Sequence, residues 1–258
     1  MTESALTLQV TGVGSFSPGH VWPGAASGAR LSDATLPTSL LPLRARGRAS
    51  PLTLMFAHVI EQAVTQAGAD IHSLPIIYGS AYGEMTTTLR LLEMLHEGDG
   101  RLSPARFQGS VHNTAAGQIS IAQGNRHFTT SLAAGHETVA MCLVEAWSWL
   151  ATHGEQVLVV CADERAPSVL EPSTSYEPLA VAFLLERTGR GPGSLAQLSA
   201  FGPRPGLGSP QSPSENPCLP GLHLLAAMVD PGPRDVILNP LSDLPWQVHV
   251  QPTALVPR

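Results

Sequence analysis

Gly124-Asn125-Arg126-His127-Phe128-Thr129-Thr130-Ser131-Leu132-Ala133-Ala134-Gly135-His136-Glu137-Thr138 is the stretch on which the fold turns. It reads as a strand, about Arg126 to Ser131, bending sharply into a helix from Thr138 to Ala151. Such a turn puts one side chain at a helix N-terminus, where free N–H groups and the dipole favour a thiolate or an oxyanion. The reading gives that place to Ala133, a methyl group with no chemistry to favour.

Outward from this turn the hydrophobic period alternates between strand-like and helix-like, as in a layered α/β domain. Ser50-Pro51 predicts a helix start, with Leu52, Met55, Phe56, Val59, Ile60 and Val64 on one face and Gly68 as its end. A second helix is expected from Gly83 to His96, with Met85, Leu89, Leu92 and Leu95 on one side. The unbroken apolar run Pro178 to Leu185 predicts a buried strand. Residues 188–220 are rich in Gly, Pro and Ser and predict loops around at most one strand, Leu195 to Phe201. One last helix-strand unit follows, Gly221 to Val229 and Asp235 to Asn239. The whole of 1–258 reads as a single domain. Its last residues, Leu255-Val256-Pro257-Arg258, match what a cleaved tag leaves behind, and no function is placed on them.

Composition narrows the function. With 43% hydrophobic and 13% charged residues, the 258-residue chain is apolar enough that a partner covering some of its surface is expected. A formal charge of -6, with Arg44, Arg46 and Arg48 as the one short basic run, argues against nucleic acid or an anionic membrane as the main partner. Cys142, Cys161 and Cys218 are too widely spaced for a zinc pattern or a disulfide framework, which fits a reducing cytoplasm. Nothing in the sequence calls for a cofactor or a metal. No apolar stretch is long enough to span a bilayer, and residues 1–20 lack the order of a signal peptide.

Several segments, in order, resemble the N-terminal half of β-ketoacyl synthases of the thiolase superfamily. Leu6 to Gly19 resembles the opening strand and Gly-rich turn, and Arg48 to Asp70 the first long helix. Pro75 to Gly83 is similar to the next strand and its turn, Ser110 to Gly124 to the helix before the nucleophile strand, and Gln156 to Glu164 to the strand after the nucleophile helix. The resemblance implies a thiolase-like layered α/β fold, essentially that N-terminal half with a vestigial start of the second. In the family the elbow carries the Cys that accepts the acyl chain, and the second half carries two His and a Lys. Here the elbow holds Ala133, the tail reads Pro240-Leu241-Ser242-Asp243 where a His motif is expected, and every one of the 14 basic residues is Arg.

The resemblance therefore implies a non-catalytic subunit of the chain-length-factor type, as found beside complete synthases in bacterial aryl polyene and polyketide pathways. A complete β-ketoacyl synthase would be its heterodimer partner, with acyl carrier protein meeting the complex. The strand before the elbow pairs across the two-fold axis in this superfamily, so Arg126, Phe128 and Thr130 are the interface candidates. Tyr82, Met85, Leu89 and Phe107 are candidates for an acyl-pocket wall, or else simply core. Two other classes stay open: a thioesterase or acyltransferase built on Ser131, His136 and Glu137, and a structural homodimer that docks an acidic carrier on Arg44, Arg46 and Arg48. Asn113 invites an oxyanion role or fixes the adjoining turn, and Cys142 and Cys161 read as buried, inert thiols.

Overall fold

In the computed structural model of the chain, Ser50 caps the first long helix as its sequence predicts. Its Oγ accepts from the Thr53 N–H at 3.0 Å, Pro51 occupies the first helical position, and Gly68 ends the helix at φ 63. The structure describes residues 6–18, 36–98, 103–165, 169, 176–187, 193–205, 215–239 and 242–253. Residues 255–258 and the Pro240-Leu241 pair lie outside them.

In chain order the elements are β1 (Leu8–Phe16), α1 (Leu43–Arg46), α2 (Pro51–Ala67), β2 (Ile76–Gly79), α3 (Met85–Glu97), α4 (Pro104–Gln108), α5 (Thr114–Gln123), β3 (Thr129–Leu132), α6 (Thr138–Thr152), β4 (Gln156–Asp163), β5 (Leu179–Arg187), β6 (Ala196–Pro203), α7 (Leu219–Val229), β7 (Arg234–Ile237) and β8 (Trp246–Pro252). One eight-stranded sheet takes the order β3-β2-β4-β5-β1-β6-β8-β7. It is parallel across β3, β2 and β4 and antiparallel elsewhere. The last helix-strand unit joins this same sheet, and β8, which the sequence reading did not anticipate, pairs it to β6.

Helices cover both faces, so the central strands divide their side chains between two cores. Val157, Val159 and Cys161 of β4 face α6 and α7, while Leu158, Val160 and Ala162 face α2 and α5. Strand β5 does the same with Leu179, Val181, Phe183 and Leu185 against Ala180, Ala182 and Leu184. Strand β1 changes sides midway. Leu8 and Val10 face the α6 core, an extra residue at Thr11 shifts the register, and Val13 rather than Gly12 continues on that face. The bulge turns Gly12 and Gly14 toward α2, where a Cβ would collide with the carbonyl oxygens of Ala63 and Val59. Bare glycine backbone is what lets α2 lie so close to the sheet.

Candidate functional site

The site is assembled at the β3 end of the sheet. β3 bonds to β2 on one side, and among the described residues its other edge is unpaired. The Ile76 N–H donates to the Phe128 carbonyl at 3.0 Å and the Ser80 N–H to the Leu132 carbonyl at 3.1 Å. Because backbone groups alternate along a strand, those of Phe128, Thr130 and Leu132 point inward and those of Thr129 and Ser131 point to the free edge. This revises the expected interface strand, which begins at Thr129 rather than Arg126. Phe128 precedes it, and its ring stacks on Trp149 with centroids 4.2 Å apart, while Arg126 is exposed ahead of the strand. Thr130 lies in the strand, but its backbone serves β2.

At the elbow, Ala133 stands between β3 and a short turn. A 3-10 turn, Gly135–Glu137, leads into α6, and its cap is Ala134 at φ -144 and ψ 31. Ala133 is exposed one residue earlier. The Ala134 N–H donates to Thr138 Oγ1 at 3.1 Å, and that hydroxyl donates to the Gly135 carbonyl at 2.7 Å. Both neighbouring positions are Ala, so the side chain at the helical start is a methyl group under either placement.

Buried carboxylates fix the element beside the elbow. Asp163, at the end of β4, accepts from Ser80 Oγ at 2.7 Å, from the N–H groups of Ala81 and Tyr82 at 3.0 and 3.1 Å, and from Cys218 Sγ at 3.4 Å. Burial raises its pKa against the opposing effect of these donors. His112 closes the same turn: its Nε2 is 2.9 Å from the Ser80 carbonyl, and its ring covers Gly83, whose φ of 60 suits glycine. Next in the chain, Glu84 is buried and accepts from Ser50 Oγ at 2.7 Å and Thr53 Oγ1 at 3.2 Å. Glu164 accepts from the Leu52 N–H at 3.1 Å and from Thr86 Oγ1. Burial first, and the nearby Glu164 charge after it, push the Glu84 carboxyl up to about 7. Together these groups dock the start of α3 onto the start of α2.

Beyond that anchor α3 is largely uncovered. Leu91 is its buried residue, whereas Leu92 and Leu95, expected on the packed side, are 53% and 44% exposed. Phe107 on α4 is 58% exposed and Tyr82 38%, while Met85 and Leu89 are half-buried. The helix stripe in the sequence is real, but it faces outward. None of Tyr82, Met85, Leu89 and Phe107 lines the cleft of about 550 Å³ that opens between α5 and β3. That cleft is lined by His112, Asn113, Ala116, Gly117, Ser120, Thr129, Thr130 and Ser131. The Oγ atoms of Ser120 and Ser131 are buried and have no hydrogen-bond partner among the described residues. Sequence reasoning missed Ser120; its signal was a hydroxyl in an otherwise small-residue helix, which by itself does not distinguish a site from a surface.

The hydrolytic constellation is not assembled. Glu137 accepts from Asn239 Nδ2 at 3.2 Å rather than from an imidazole, and Ser131 Oγ has no hydrogen-bond partner among the described residues. Cys142, Cys161 and Cys218 are fully buried. The thiol of Cys161 is pushed well up by its hydrogen bond with Cys142 and by burial, and that of Cys218 chiefly by burial. Among the described residues no cluster of three His, Cys, Asp or Glu is placed to hold a metal ion, and no helix is long and apolar enough to cross a membrane.

Comparison with known proteins agrees with this architecture. Among curated proteins no sequence matches the chain. Among solved structures, the ketosynthase ApeO in complex with its chain length factor ApeC from Xenorhabdus doucetiae is similar at 22% identity and a TM-score of 0.68, over 95% of this chain and 99% of the matched one. The ishigamide ketosynthase/chain length factor follows at 18% identity and 0.60, over 77% and 67% of the two chains. A type II polyketide synthase acyl-carrier protein in complex with its ketosynthase is similar at 14% and 0.62, over 86% and 73%. These likenesses show a ketosynthase-like α/β fold. The profile of the family described as "Beta-ketoacyl synthase, N-terminal domain" matches residues 20–230, well over half of the sequence, and the chain belongs to that family.

Proposed function

We propose that the chain is a non-catalytic chain-length-factor subunit that pairs with a complete β-ketoacyl synthase and supplies part of the wall of its acyl pocket, in a pathway of the aryl polyene or polyketide type. The observation that carries this reading is the free edge of β3, whose outward N–H and C=O groups at Thr129 and Ser131 are a template for a further strand. Beside it stands a helical start with Ala134, preceded by Ala133, where covalent acyl transfer needs a nucleophile. The match to a chain of nearly equal length in the ApeO and ApeC complex supports the assignment.

In that complex the uncovered apolar side chains of Tyr82, Leu92, Leu95 and Phe107 gain a use. A partner seated on the β3 edge extends over α3 and α4, and Met85 and Leu89 then stand at the seam as pocket wall. Such a wall acts by steric exclusion, which rises with each added carbon unit and needs no chemistry from this chain. An acidic acyl carrier protein would be drawn to Arg44, Arg46 and Arg48, none of which forms an ion pair among the described residues, with the exposed Leu43 just ahead of them.

Co-expression with a complete β-ketoacyl synthase is the test. A one-to-one complex is expected, in which Leu89→Trp shortens the products while the first condensation proceeds. A monodisperse monomer with no affinity for that synthase, or a stable acyl adduct on Ser131 or on any Cys, overturns the reading.

A further inference from the structure

The four residues of β3, Thr129-Thr130-Ser131-Leu132, are half-buried and offer three hydroxyl side chains and one leucine, so side-chain pattern says little about where a partner strand lines up. A slip of two residues would keep every side chain on its own face. The backbone ahead of the strand is held more tightly. Asn125 is buried, and its Nδ2 donates to the carbonyls of Ile71 and Leu74, both at 2.8 Å. Its Oδ1 accepts from the His127 N–H at 2.8 Å, and the His127 carbonyl accepts from Thr129 Oγ1 at 3.3 Å. On the α6 side Phe128 stacks on Trp149, which stacks in turn on His153 with centroids 4.1 Å apart. The entry to β3 is thus fixed from within this chain, while the outer edge of the strand is unpaired among the described residues.

We infer that Asn125 sets the register of the partner strand: by taking the His127 N–H it ends the outer edge at Thr129, so that the ladder falls on Thr129 and Ser131. The inference rests on the pairing proposed above. Outward backbone groups recur at every second residue, so the next pair ahead of Thr129 belongs to His127. An N–H donates once, and that of His127 is spent on the Asn125 amide oxygen, which leaves a strand that slides this way one donor short. At the other end β3 stops at Leu132, and the chain turns at Ala134, where ψ is 31. A homologous strand related by a two-fold runs antiparallel. It then forms hydrogen-bonded pairs at Thr129 and Ser131, with Thr130 at the close, non-hydrogen-bonded place between them. Asn125 is a positioning residue here and acts through His127.

The test uses the full chain in complex with a complete β-ketoacyl synthase. Thr130→Cys is oxidised with diamide against single cysteines placed in turn along the synthase strand that leads to its nucleophile, because Cα atoms about 4.5 Å apart permit a disulfide. With Asn125 intact, one position should cross-link. Asn125→Ala frees the His127 N–H and should add a second position two residues away. Asn125→Asp keeps an oxygen for that N–H and loses the donors to Ile71 and Leu74, so it should hold the single position. Both variants should lower the melting temperature of the isolated chain, which separates register from stability. Several positions with Asn125 intact, one position in Asn125→Ala, or two in Asn125→Asp would each overturn the inference and leave the pairing standing. Hydrogen exchange gives a second reading that needs no change at Asn125. On complex formation the Thr129 and Ser131 amides should slow at least about tenfold, while that of His127, already bonded in the isolated chain, should not change. Added protection at His127 would show a ladder running past the stop, and the inference would fail likewise. If the parent chain binds no such synthase, or the complex forms and Thr130→Cys cross-links nowhere along that strand, the pairing itself is overturned.

Discussion

Strands β4 and β5 carry apolar side chains and so do helices α3 and α4 near the β3 end, yet the chain treats the two regions in opposite ways. In β4 and β5 nearly every residue is buried, because both faces carry helices and both edges carry strands. In β3 every residue is half-buried and one edge is unpaired among the described residues, and α3 buries Leu91 while exposing Leu92 and Leu95. The difference lies in who supplies the cover. The centre of the sheet is closed by this chain alone, and the proposed pairing would close the β3 end with another.

The largest effect that distinguishes the two regions is on stability. Phe183→Ala, in the middle of β5, should destabilise the isolated chain by about 3–5 kcal/mol, as large-to-small changes in a packed core do. Leu92→Ala or Phe107→Ala should change it by no more than about 0.5 kcal/mol, as expected for exposed positions. Denaturant unfolding of the isolated chain measures both. Equal losses at Leu92 and Phe183 would break the comparison, because α3's outer face would then be core.

Proline substitution sharpens the same contrast within one strand. Ser131→Pro removes an N–H that points to the free edge, so it should abolish assembly with the synthase while sparing most of the fold. Thr130→Pro removes a donor of the β2 ladder instead and should lower the stability of the isolated chain as well. Comparing melting temperature with co-purification separates the two. If Thr130→Pro alone disrupted the complex, the orientation of the strand would be reversed from that described.

The elbow gives a smaller, local effect. Ala134→Cys places a thiol at the cap of the 3-10 turn, where the oriented N–H groups favour thiolate, and Ala133→Cys places it one residue ahead on exposed backbone. Both should react with an alkylating reagent much faster than the parent, whose three thiols are buried, and Ala134→Cys should be the faster of the two. Neither should condense, since decarboxylation needs positioned donors as well. Faster labelling at Ala133→Cys would return the elbow to the position expected from sequence alone.

What the sequence disclosed follows from how local each signal is. Ser50, Pro51 and Gly68 define α2 through interactions within a few residues, and the run from 178 to 185 could hardly be anything but a covered strand. The stripe of Met85, Leu89, Leu92 and Leu95 correctly gave a helix, but periodicity states that an apolar face exists and not what it faces. The half-turn of the bulge at Thr11, the stacking of Phe128 on Trp149, and β8 all depend on neighbours distant in sequence. At the elbow, the two adjacent alanines removed any side-chain feature by which the cap could be fixed to one residue. The cleft was illegible for a related reason: Ser120 and Ser131 line one cleft only where α5 lies beside β3.

The smallest expected effect concerns the hinge between the two regions, where Glu84 docks α3 onto α2. Its carboxyl is pushed up to about 7, so between its ordinary value of 4.5 and about 7 the folded chain keeps a proton that the unfolded chain has released. Stability from this group is therefore fully present at low pH and is lost as pH rises through about 7. Ionisation there also sets a second negative charge near Glu164, with Ser50, Thr53 and Thr87 hydroxyls as the compensating donors. Glu84→Gln keeps the shape and removes the titration, so its melting temperature should change less than the parent's between pH 6 and about 8. At the upper end the variant should melt a few degrees higher than the parent. Because the group anchors α3 rather than the sheet, hydrogen exchange should show the pH-dependent change at the start of α3 while β4 and β5 stay protected. A parent and variant with parallel pH profiles would show that Glu84 ionises normally, and the anchor would then hold α3 equally well at every pH.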